Sequence, residues 1–271
     1  MAPELQSPAV SVVMSVYNGE RFLRDAVDSI LGQTFGDFEL IVVDDGSTDR
    51  SRQILAAVVD RRLRVIEQVH QGLASALNRG IDRAGASLIA RMDSDDLSLP
   101  ERLEKQYFFL QHNAAVALLG TAISIVDSGG TGIGTWQPPG EHASISRQMI
   151  RANQFAHSTV MFRKEAFFAI GGYRQDLPFA QDYDLWLRMT AHFQVANLEE
   201  MLLIRRIGAD QYGTPRETLQ IRCAAKARLD ALKRGDFPLS QAIHLVRPMI
   251  AAALPGSVRQ LGRRIIGRRI A

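Results

Sequence analysis

Short apolar segments alternate with segments of helical periodicity over the first hundred residues, and this alternation restricts the fold more than any other feature. The apolar segments are short and mostly β-branched or aliphatic, as strands buried on both faces are. They lie at 10–16, 38–45, 62–68 and 87–93. The intervening segments at 21–33, 46–59 and 72–84 space their apolar residues as amphipathic helices do. Strands joined by helical crossovers predict an α/β fold with a parallel sheet covered on both faces.

Polar residues follow three of these four strands. Tyr17 and Asn18 come after the first, Asp44 and Asp45 after the second, and the acidic segment 93–96 after the fourth. Right-handed crossovers bring the carboxyl ends of parallel strands to one edge of the sheet, and ligand sites in such sheets lie beyond that edge. We therefore expect the three polar groups to converge on a binding site.

The second half of the chain is less regular. Strands are expected at 115–136, around an Asp-Ser-Gly-Gly turn, at 155–163 and as two pieces within 194–207. Helices are expected at 145–153, 164–173 and 180–193, and the pattern is helical from Thr214 onward. We expect Thr48 or Asp49 to cap the second helix and Ser98 to cap the helix after the acidic segment.

The composition is that of a folded globular chain with a basic end. Its 271 residues are 46% hydrophobic, which is enough to bury a sizeable core. Formal net charge is only +3, but no Asp or Glu follows Asp236, whereas six arginines do. These arginines alternate with apolar residues from about Gln241, a pattern that fits either an amphipathic helix on a membrane or a helix packed on the protein. A nucleic-acid binder would need aromatic residues among the arginines, and none follows Phe237.

The cellular compartment is predicted from what the chain lacks. Cys223 is the only cysteine, so no disulfide can form within the chain, in keeping with a reducing compartment. The N-terminal sequence lacks the charged and apolar regions of a secretory signal, and no apolar run is long enough for a spanning helix. We expect a cytoplasmic protein, with possible peripheral contact to the inner face of the cell membrane.

Three carboxylates within four positions, Asp93, Asp95 and Asp96, are the strongest candidate for a metal site. Mg²⁺ and Mn²⁺ prefer oxygen ligands and are often held by one or two carboxylates together with substrate phosphates. The alternative is a helix start, since acidic residues favour helix N-termini and Pro100 is suited to a first turn. That alternative accounts for Asp96 but not for Asp93, which still belongs to the strand.

Other polar residues have structural alternatives of their own. Asp45 precedes Gly-Ser, which is a common turn, but could also contact a base or ribose. His157 lies in an apolar segment, where a histidine is more often a core or edge group than a catalyst. Asp182 falls in the first turn of a predicted helix, where capping is the simpler role, and Asp184 can pair with Arg188 four residues on. The chain has no P-loop, no dinucleotide-binding glycine motif, no zinc spacing and no Gly-x-Ser-x-Gly elbow.

Five stretches in order resemble the family 2 glycosyltransferases of bacterial type. They are "VSVVMSVYNGERFLRDAVDSILGQTFGDFELIVVDDGSTDRS", "GLASALNRGI", "ARMDSDDLSLPERLEKQ", "HSTVMFRKEAFFAIGGY" and "QDYDLWLRM". Each is weak alone, but their order and spacing together are specific, and the resemblance extends from about Val10 to Ile207. It implies a GT-A-type fold that binds nucleotide-diphosphate sugars on a mostly parallel central sheet, followed by a C-terminal helical extension. It also implies transfer of the sugar with inversion at the anomeric carbon.

The resemblance assigns roles to residues that match its motifs. Asp95 would hold Mg²⁺ or Mn²⁺ on the diphosphate, and Asp182 would be the catalytic base. The donor would contact a larger group of residues, with Asp45 near the base and Asp93 towards the ribose: Tyr17, Asn18, Asp45, Asn78, Asp93 and His157. The chain departs from the family pattern at two positions, since Gln181 stands where many members have Glu and Leu77 where many have Arg.

The resemblance also divides the chain. Residues 1–207 would form the catalytic domain, with a nucleotide-binding half at about 10–97 and an acceptor half at about 98–207. Residues 208–271 would form a basic helical extension. The implied partners are a UDP-, GDP- or dTDP-linked sugar donor and a glycan or lipid-linked acceptor, in cell-surface polysaccharide or glycolipid synthesis, with no nucleic acid. The alternative is a non-catalytic nucleotide-sugar-binding or scaffold protein.

Overall fold

The computed structural model describes residues 7–207 and 215–246 of the chain. Strands and helices alternate through the first half, as predicted, and the second half is mixed. The strands are β1 (Val10–Val16), β2 (Phe38–Asp44), β3 (Leu63–Glu67), β4 (Leu88–Asp93), β5 (Leu97–Ser98), β6 (Val116–Asp127), β7 (Gly132–Trp136), β8 (Met161–Arg163) and β9 (Gln194–Ile207). The helices are α1 (Leu23–Leu31), α2 (Ser51–Ala56), α3 (Leu73–Asp82), α4 (Arg102–His112), α5 (His142–Met149), α6 (Lys164–Ala169), α7 (Gln181–His192) and α8 (Pro215–Arg234).

All nine strands of the described residues form one sheet, in the order β3-β2-β1-β4-β8-β6-β9-β5, with β7 beside β6. The four strands of the nucleotide-binding half are parallel to one another, and β6 is parallel to β9. Strand β8 runs antiparallel to both β4 and β6 and so joins these two parallel groups. The α/β class with a parallel first half is therefore confirmed.

Alternate residues along the central strands point into two separate cores. Val13, Ile41 and Ile89 face a core formed with α3, α5, α6, α7 and α8. Val12, Leu40 and Ala90 face a second core formed with α1, α4 and part of α2. All six are fully buried, which explains why the strand sequences lack the alternation of a sheet with one wet face.

Several local predictions are corrected by the structure. The segment 155–163 is not one strand, because His157–Thr159 forms a short 3₁₀ helix before β8. The two strand pieces expected within 194–207 are one strand, β9, whose pairing with β6 shifts register. Neither Thr48 nor Asp49 is the N-cap of α2, since Arg50 holds that position. Ser98 does not cap α4 either, because it belongs to β5 and Glu101 is the N-cap residue.

The described part of the C-terminal extension packs on the rest of the protein. Ala227 and Ala231 of α8 are fully buried in the same core as α7. The Arg228 guanidinium donates to the Tyr183 hydroxyl at 2.9 Å, and Arg174 donates to the Asp230 carboxylate at 2.9 Å. The boundary predicted at 207/208 stays a prediction, and the arginine-rich segment 247–271 lies outside the described residues. No helix within the described ranges has the length and apolar character to cross a membrane.

Candidate active site

The register of the sheet brings the three polar strand ends together. Val16 of β1 lies beside Asp44 of β2, and Ser15 lies beside Asp93 of β4. The residues that follow these positions line a cleft of about 520 Å³. Its walls include five of the eight residues predicted from the sequence, namely Tyr17, Asn18, Asp45, Asp93 and Asp95. The predicted convergence at the carboxyl edge is thus observed.

The Asp45 carboxylate is buried and organises the loop after β3. It accepts from the Gln68 side chain at 2.7 Å and from the backbone N–H groups of Gln71 and Gly72 at 2.9 and 2.8 Å. His70 Nδ1 lies 2.8 Å from the same carboxylate, and its ring stacks on Tyr17 with centroids 4.0 Å apart. A nucleoside that contacted Asp45 directly would therefore compete with His70, whose half-exposed ring is the easiest of these groups to displace.

The two asparagines of the predicted donor set have structural partners. Asn18 adopts a left-handed backbone conformation (φ 53°), and its side-chain oxygen accepts from Thr48 N–H at 2.8 Å. It nevertheless lines the cleft. Asn78 bonds the backbone of Tyr173 twice, through its amide nitrogen at 2.9 Å and its amide oxygen at 3.0 Å. These bonds favour a positioning role for Asn78, and its predicted contact with the donor stays a prediction.

The three clustered carboxylates occupy different environments. Each offers an oxygen within 4.8 Å of the others. Asp93 is ion-paired with the fully buried guanidinium of Arg91. The Ser158 hydroxyl bonds both Asp93, at 2.6 Å, and Asp96. Asp95 is exposed and has no ion-pair partner in the part of the chain that the structure describes. Asp93 and Asp96 are thus held by buried side chains, whereas Asp95 is not.

Asp96 does not cap the helix that follows, contrary to the prediction. It is buried, bonds Ser158, and accepts from the backbone N–H of Arg206 in β9 at 2.9 Å. Burial, followed by the charges of Asp93 and Asp95, raises the pKa of its carboxyl to about 7. Asp96 therefore connects β9 to the acidic segment. It belongs to the candidate site and does not help to form the N-terminus of α4.

Local charges shift the other two carboxyls in opposite directions. Burial alone would raise the pKa of Asp93, but the Arg91 guanidinium outweighs it and lowers that pKa. Desolvation in the cleft, with the Asp93 charge, raises the pKa of Asp95. Unlike Asp93, Asp95 has no ion-pair partner among the described residues, and a bound dication would stabilise its charge. The three carboxylates offer oxygen ligands close to one another, and Asp95 among them is exposed. Such a ligand set fits the preferences of Mg²⁺ or Mn²⁺.

A second cavity, of about 470 Å³, adjoins the acidic cluster. Asp93 lines both cavities, whereas Asp96, His157 and Asp182 line only this one. Asp182 stands in the first turn of α7, and its carboxylate accepts from the Asn153 amide at 3.0 Å. Burial raises the pKa of Asp182, which makes its carboxylate more basic than an exposed one. The candidate base therefore shares a cavity with two members of the acidic cluster and does not line the first cleft.

His157 has the environment of a structural histidine. Its Nε2 lies 2.8 Å from the Tyr173 hydroxyl, and its ring packs edge-on to Trp186 in the core. Burial, and then the charge of Arg91, lowers its pKa well below the usual value, so the imidazole is neutral at physiological pH. Trp186 is fully buried and Asp184 pairs with Arg188 at 2.7 Å, as the sequence predicts for both.

Some residues of the site were not identified from the sequence. Arg91 and Ser158 hold the acidic cluster, and Arg205 and Trp136 line the second cavity. Arg91 gave a weak signal, because a charged residue within an otherwise apolar strand needs a buried partner. Ser158 gave no signal, since its partners Asp93 and Asp96 lie more than sixty residues away along the chain. Trp136 gave none either, since the cavity that it lines was not predicted.

Comparison with known proteins decides the family. A model described as glycosyl transferase family 2 matches residues 11–171, which is more than half of the chain. The chain belongs to that family. It is a glycosyltransferase, and the resemblance inferred from its motifs is confirmed.

Named relatives of this glycosyltransferase match most of its length. The putative glycosyltransferase EpsE of Bacillus subtilis (strain 168) is 35% identical over 258 residues, covering 93% of this chain and 91% of EpsE. The amylovoran biosynthesis glycosyltransferase AmsE of Erwinia amylovora is 34% identical over 250 residues, covering 88% and 92%. The O-antigen biosynthesis glycosyltransferase WbnJ of Escherichia coli is 36% identical over 204 residues, covering 73% and 79%.

Solved structures confirm the fold of the glycosyltransferase. The mannosyltransferase PcManGT from Pyrobaculum calidifontis, in complex with GDP-Man and Mn²⁺, superposes with a TM-score of 0.68 at 17% identity, covering 97% of this chain and 81% of that one. S. aureus TarS 1–349 in complex with UDP-GlcNAc gives 0.66 at 20% identity, covering 89% and 71%. At these identities the likeness establishes the GT-A fold and not the ligand.

Proposed function

We propose that the chain transfers a sugar from a nucleoside-diphosphate donor to an acceptor hydroxyl, with inversion at the anomeric carbon. The single observation that supports this most is the position of the acidic cluster between two cavities. One cavity has the polar strand ends and the exposed aromatic Tyr17, and the other has the candidate base Asp182. Donor and acceptor would meet across Asp93, the residue that lines both.

The donor would occupy the cleft at the carboxyl ends of β1, β2 and β4. Tyr17 offers a half-exposed ring against which a base can stack, and Asp45 and Asn18 offer polar atoms beside it. Asp93 would orient the ribose, held in its ionised form by Arg91. UDP-GlcNAc and GDP-Man, the donors in the two related complexes, are the first candidates for the nucleotide sugar.

Asp95 would hold a divalent cation, with Mg²⁺ and Mn²⁺ as the candidates. It is the one member of the acidic cluster that is both exposed and without an ion-pair partner among the described residues. A cation bound here supplies charge neutralisation for the departing diphosphate. Asp93 and Asp96, braced by Ser158, would keep the ligand oxygens in place.

Asp182 would accept the proton of the attacking hydroxyl. A single base and an in-line displacement account for inversion, so the site needs no nucleophilic residue. The Asn153 amide donates to one carboxylate oxygen of Asp182 and so orients the side chain within the cavity that would hold the acceptor. Gln181, which replaces the usual Glu, is buried and lies outside this contact.

We further propose that the acceptor is a growing glycan, free or lipid-linked, in the synthesis of a cell-surface polysaccharide. EpsE, AmsE and WbnJ support this setting through their sequence similarity, and the last two are named for amylovoran and O-antigen biosynthesis. The basic segment beyond residue 246 would hold the enzyme at the inner leaflet, where anionic headgroups attract arginine.

The test is release of nucleoside diphosphate from a panel of UDP-, GDP- and dTDP-sugars, with Mn²⁺ or with a chelator. We expect one donor to be hydrolysed slowly, only with the metal, and the Asp95→Asn variant to be inactive. An Asp95→Asn variant with normal metal-dependent rates would contradict the metal assignment. If no donor were turned over but one still bound, the non-catalytic alternative would replace the enzyme.

A further inference from the structure

The second cavity has one wall that the transfer chemistry does not use. Ile123, Ile125 and Leu203 line it together with the indole of Trp136, and its polar lining includes Asn153, Asp182 and Arg205 beside the acidic cluster. The wall is built by the β6–β7 hairpin and β9, none of which contributes to the donor cleft.

Trp136 is held firmly but remains partly exposed. It is the last residue of β7, where it pairs with Ile123 of β6. It packs against the core that contains Leu203 and Met161, yet retains intermediate exposure. An aromatic ring supported by a core on one side, and open to a cavity elsewhere, is a preformed platform for a flat apolar surface.

The lining of the cavity is of two chemical kinds. It combines an apolar aromatic wall with carboxylate, amide and guanidinium groups, so the cavity suits a ligand with one apolar face and a polar edge. A pyranose ring has this shape, because its axial C–H groups form an apolar face while its hydroxyls lie around the rim. A purely hydrocarbon ligand would remove water from the Asp182 carboxylate without replacing the hydrogen bonds that water donates, which is costly.

We propose that Trp136 is the stacking platform for the acceptor sugar, which lies in this cavity with a hydroxyl directed at Asp182. The acceptor's terminal residue is therefore a pyranose, bound through its ring and not through a lipid or peptide. This inference rests on the proposed function, because it takes Asp182 as the base that the acceptor faces. Trp136 thus determines which sugars are glycosylated, while the donor cleft determines which sugar is transferred.

The test is direct binding of methyl pyranosides, without donor or metal, to the full chain. Saturation-transfer NMR reports which ligand protons touch the protein. We expect at least one of the methyl glycosides of glucose, galactose, mannose and N-acetylglucosamine to give a signal strongest at its ring C–H protons. The Trp136→Ala variant should lose that signal, whereas Phe168→Ala, which removes a half-exposed ring outside both cavities, should keep it.

A second measurement covers the case in which Trp136→Ala does not fold. The chain has two tryptophans, and Trp186 is fully buried, so Trp136 is the one at the cavity. Glycoside should shift the tryptophan emission of the wild type and leave that of Trp136→Phe unchanged. Equal shifts in both proteins, an unchanged NMR signal in Trp136→Ala, or no binding of any glycoside would overturn the proposal. Metal-dependent binding of nucleotide sugar would be unaffected by any of these outcomes, so the two proposals fail separately.

Discussion

At the scale of single residues, three aspartates of one short segment have three different environments. Asp93 is paired with Arg91, Asp96 is buried beneath Ser158, and only Asp95 reaches solvent without an ion-pair partner among the described residues. The segment therefore combines one exposed candidate ligand, Asp95, with two carboxylates that are fixed by Arg91 and Ser158. This arrangement explains how like charges can cluster without unfolding the loop.

Removing the brace should weaken metal binding without removing a ligand. In Ser158→Ala the hydroxyl that bonds both Asp93 and Asp96 is lost, so the two carboxylates can move apart. Loss of such an outer-shell bond typically costs about 10- to 100-fold in metal affinity. We expect a rise of that size in the Mn²⁺ concentration needed for half-maximal activity. Ser128→Ala, in the exposed β6–β7 turn, serves as the control, and an unchanged Mn²⁺ requirement in Ser158→Ala would exclude the bracing role.

Substitution of the candidate base should separate binding from turnover. Asp182→Asn keeps the size of the side chain but removes the group that accepts the proton. We expect donor affinity by calorimetry to stay within about twofold, whereas the rate of transfer falls by about 10² or more. Because burial raises the pKa of Asp182, wild-type activity should fall with acid at a pH above the usual aspartate range. A variant as active as the wild type would remove Asp182 from the mechanism.

At the scale of elements, α7 connects the candidate base to the stability of the core. Its first turn contains Asp182, and Asp184, two residues later, is fully buried. Asp184 accepts from Arg188 at 2.7 Å, and from Arg174, which in turn bonds Asp230 of α8. The ion-pair network thus fixes the helix that positions the base, and it also attaches the C-terminal helix.

Breaking the buried pair from one side should be costly. Arg188→Met leaves the Asp184 carboxylate buried with Arg174 as its remaining cation, at the longer distance of 3.4 Å. Loss of one partner of a buried ion pair typically costs about 3–5 kcal/mol, and we expect that loss in urea unfolding. Combining Arg188→Met with Asp184→Leu should recover part of it, since no charge is then left buried. If the single variant were as stable as the wild type, the network would not be structural.

The sequence predicts elements better than it predicts their contacts. Strands β1 to β4 follow from runs of buried β-branched and aliphatic residues, and the convergence of their ends follows from the handedness of crossovers. The 3₁₀ turn at His157–Thr159 was missed because an apolar segment of that length also fits a strand. The role of Ser158 could not be predicted, because its bonds to Asp93 and Asp96 join residues more than sixty positions apart.

At the scale of the whole molecule, the C-terminal extension has two parts: helix α8, which packs on the catalytic domain, and an arginine-rich segment after residue 246. Helix α8 buries alanines against α7, which favours the packing interpretation for its own residues. The six arginines after Asp236 all lie beyond residue 246, outside the described part of the chain. Leu245 is buried in the core, so a truncation intended to remove only the basic segment has to keep residues up to 246.

Truncation after residue 246 should therefore test membrane contact without disturbing the catalytic domain. We expect the full chain to float with vesicles rich in anionic lipid, and the 1–246 protein to remain unbound, because about 1 kcal/mol is gained for each arginine near such a surface. Raising the salt concentration should release the full chain. Thermal unfolding checks that the truncated protein is folded. Equal partition of the two proteins would favour packing of this segment on the enzyme.

The central claim is that the acidic segment after β4 binds nucleotide sugar through a divalent cation, and thermal unfolding with UDP- and GDP-sugars tests it most directly. A ligand that binds only the folded state raises the melting temperature. The account predicts that one donor stabilises the wild type, and also Asp82→Asn on the exposed end of α3, only when Mn²⁺ is present, and that Asp95→Asn shows no such shift. Equal stabilisation without metal, or an undiminished shift in Asp95→Asn, would contradict it.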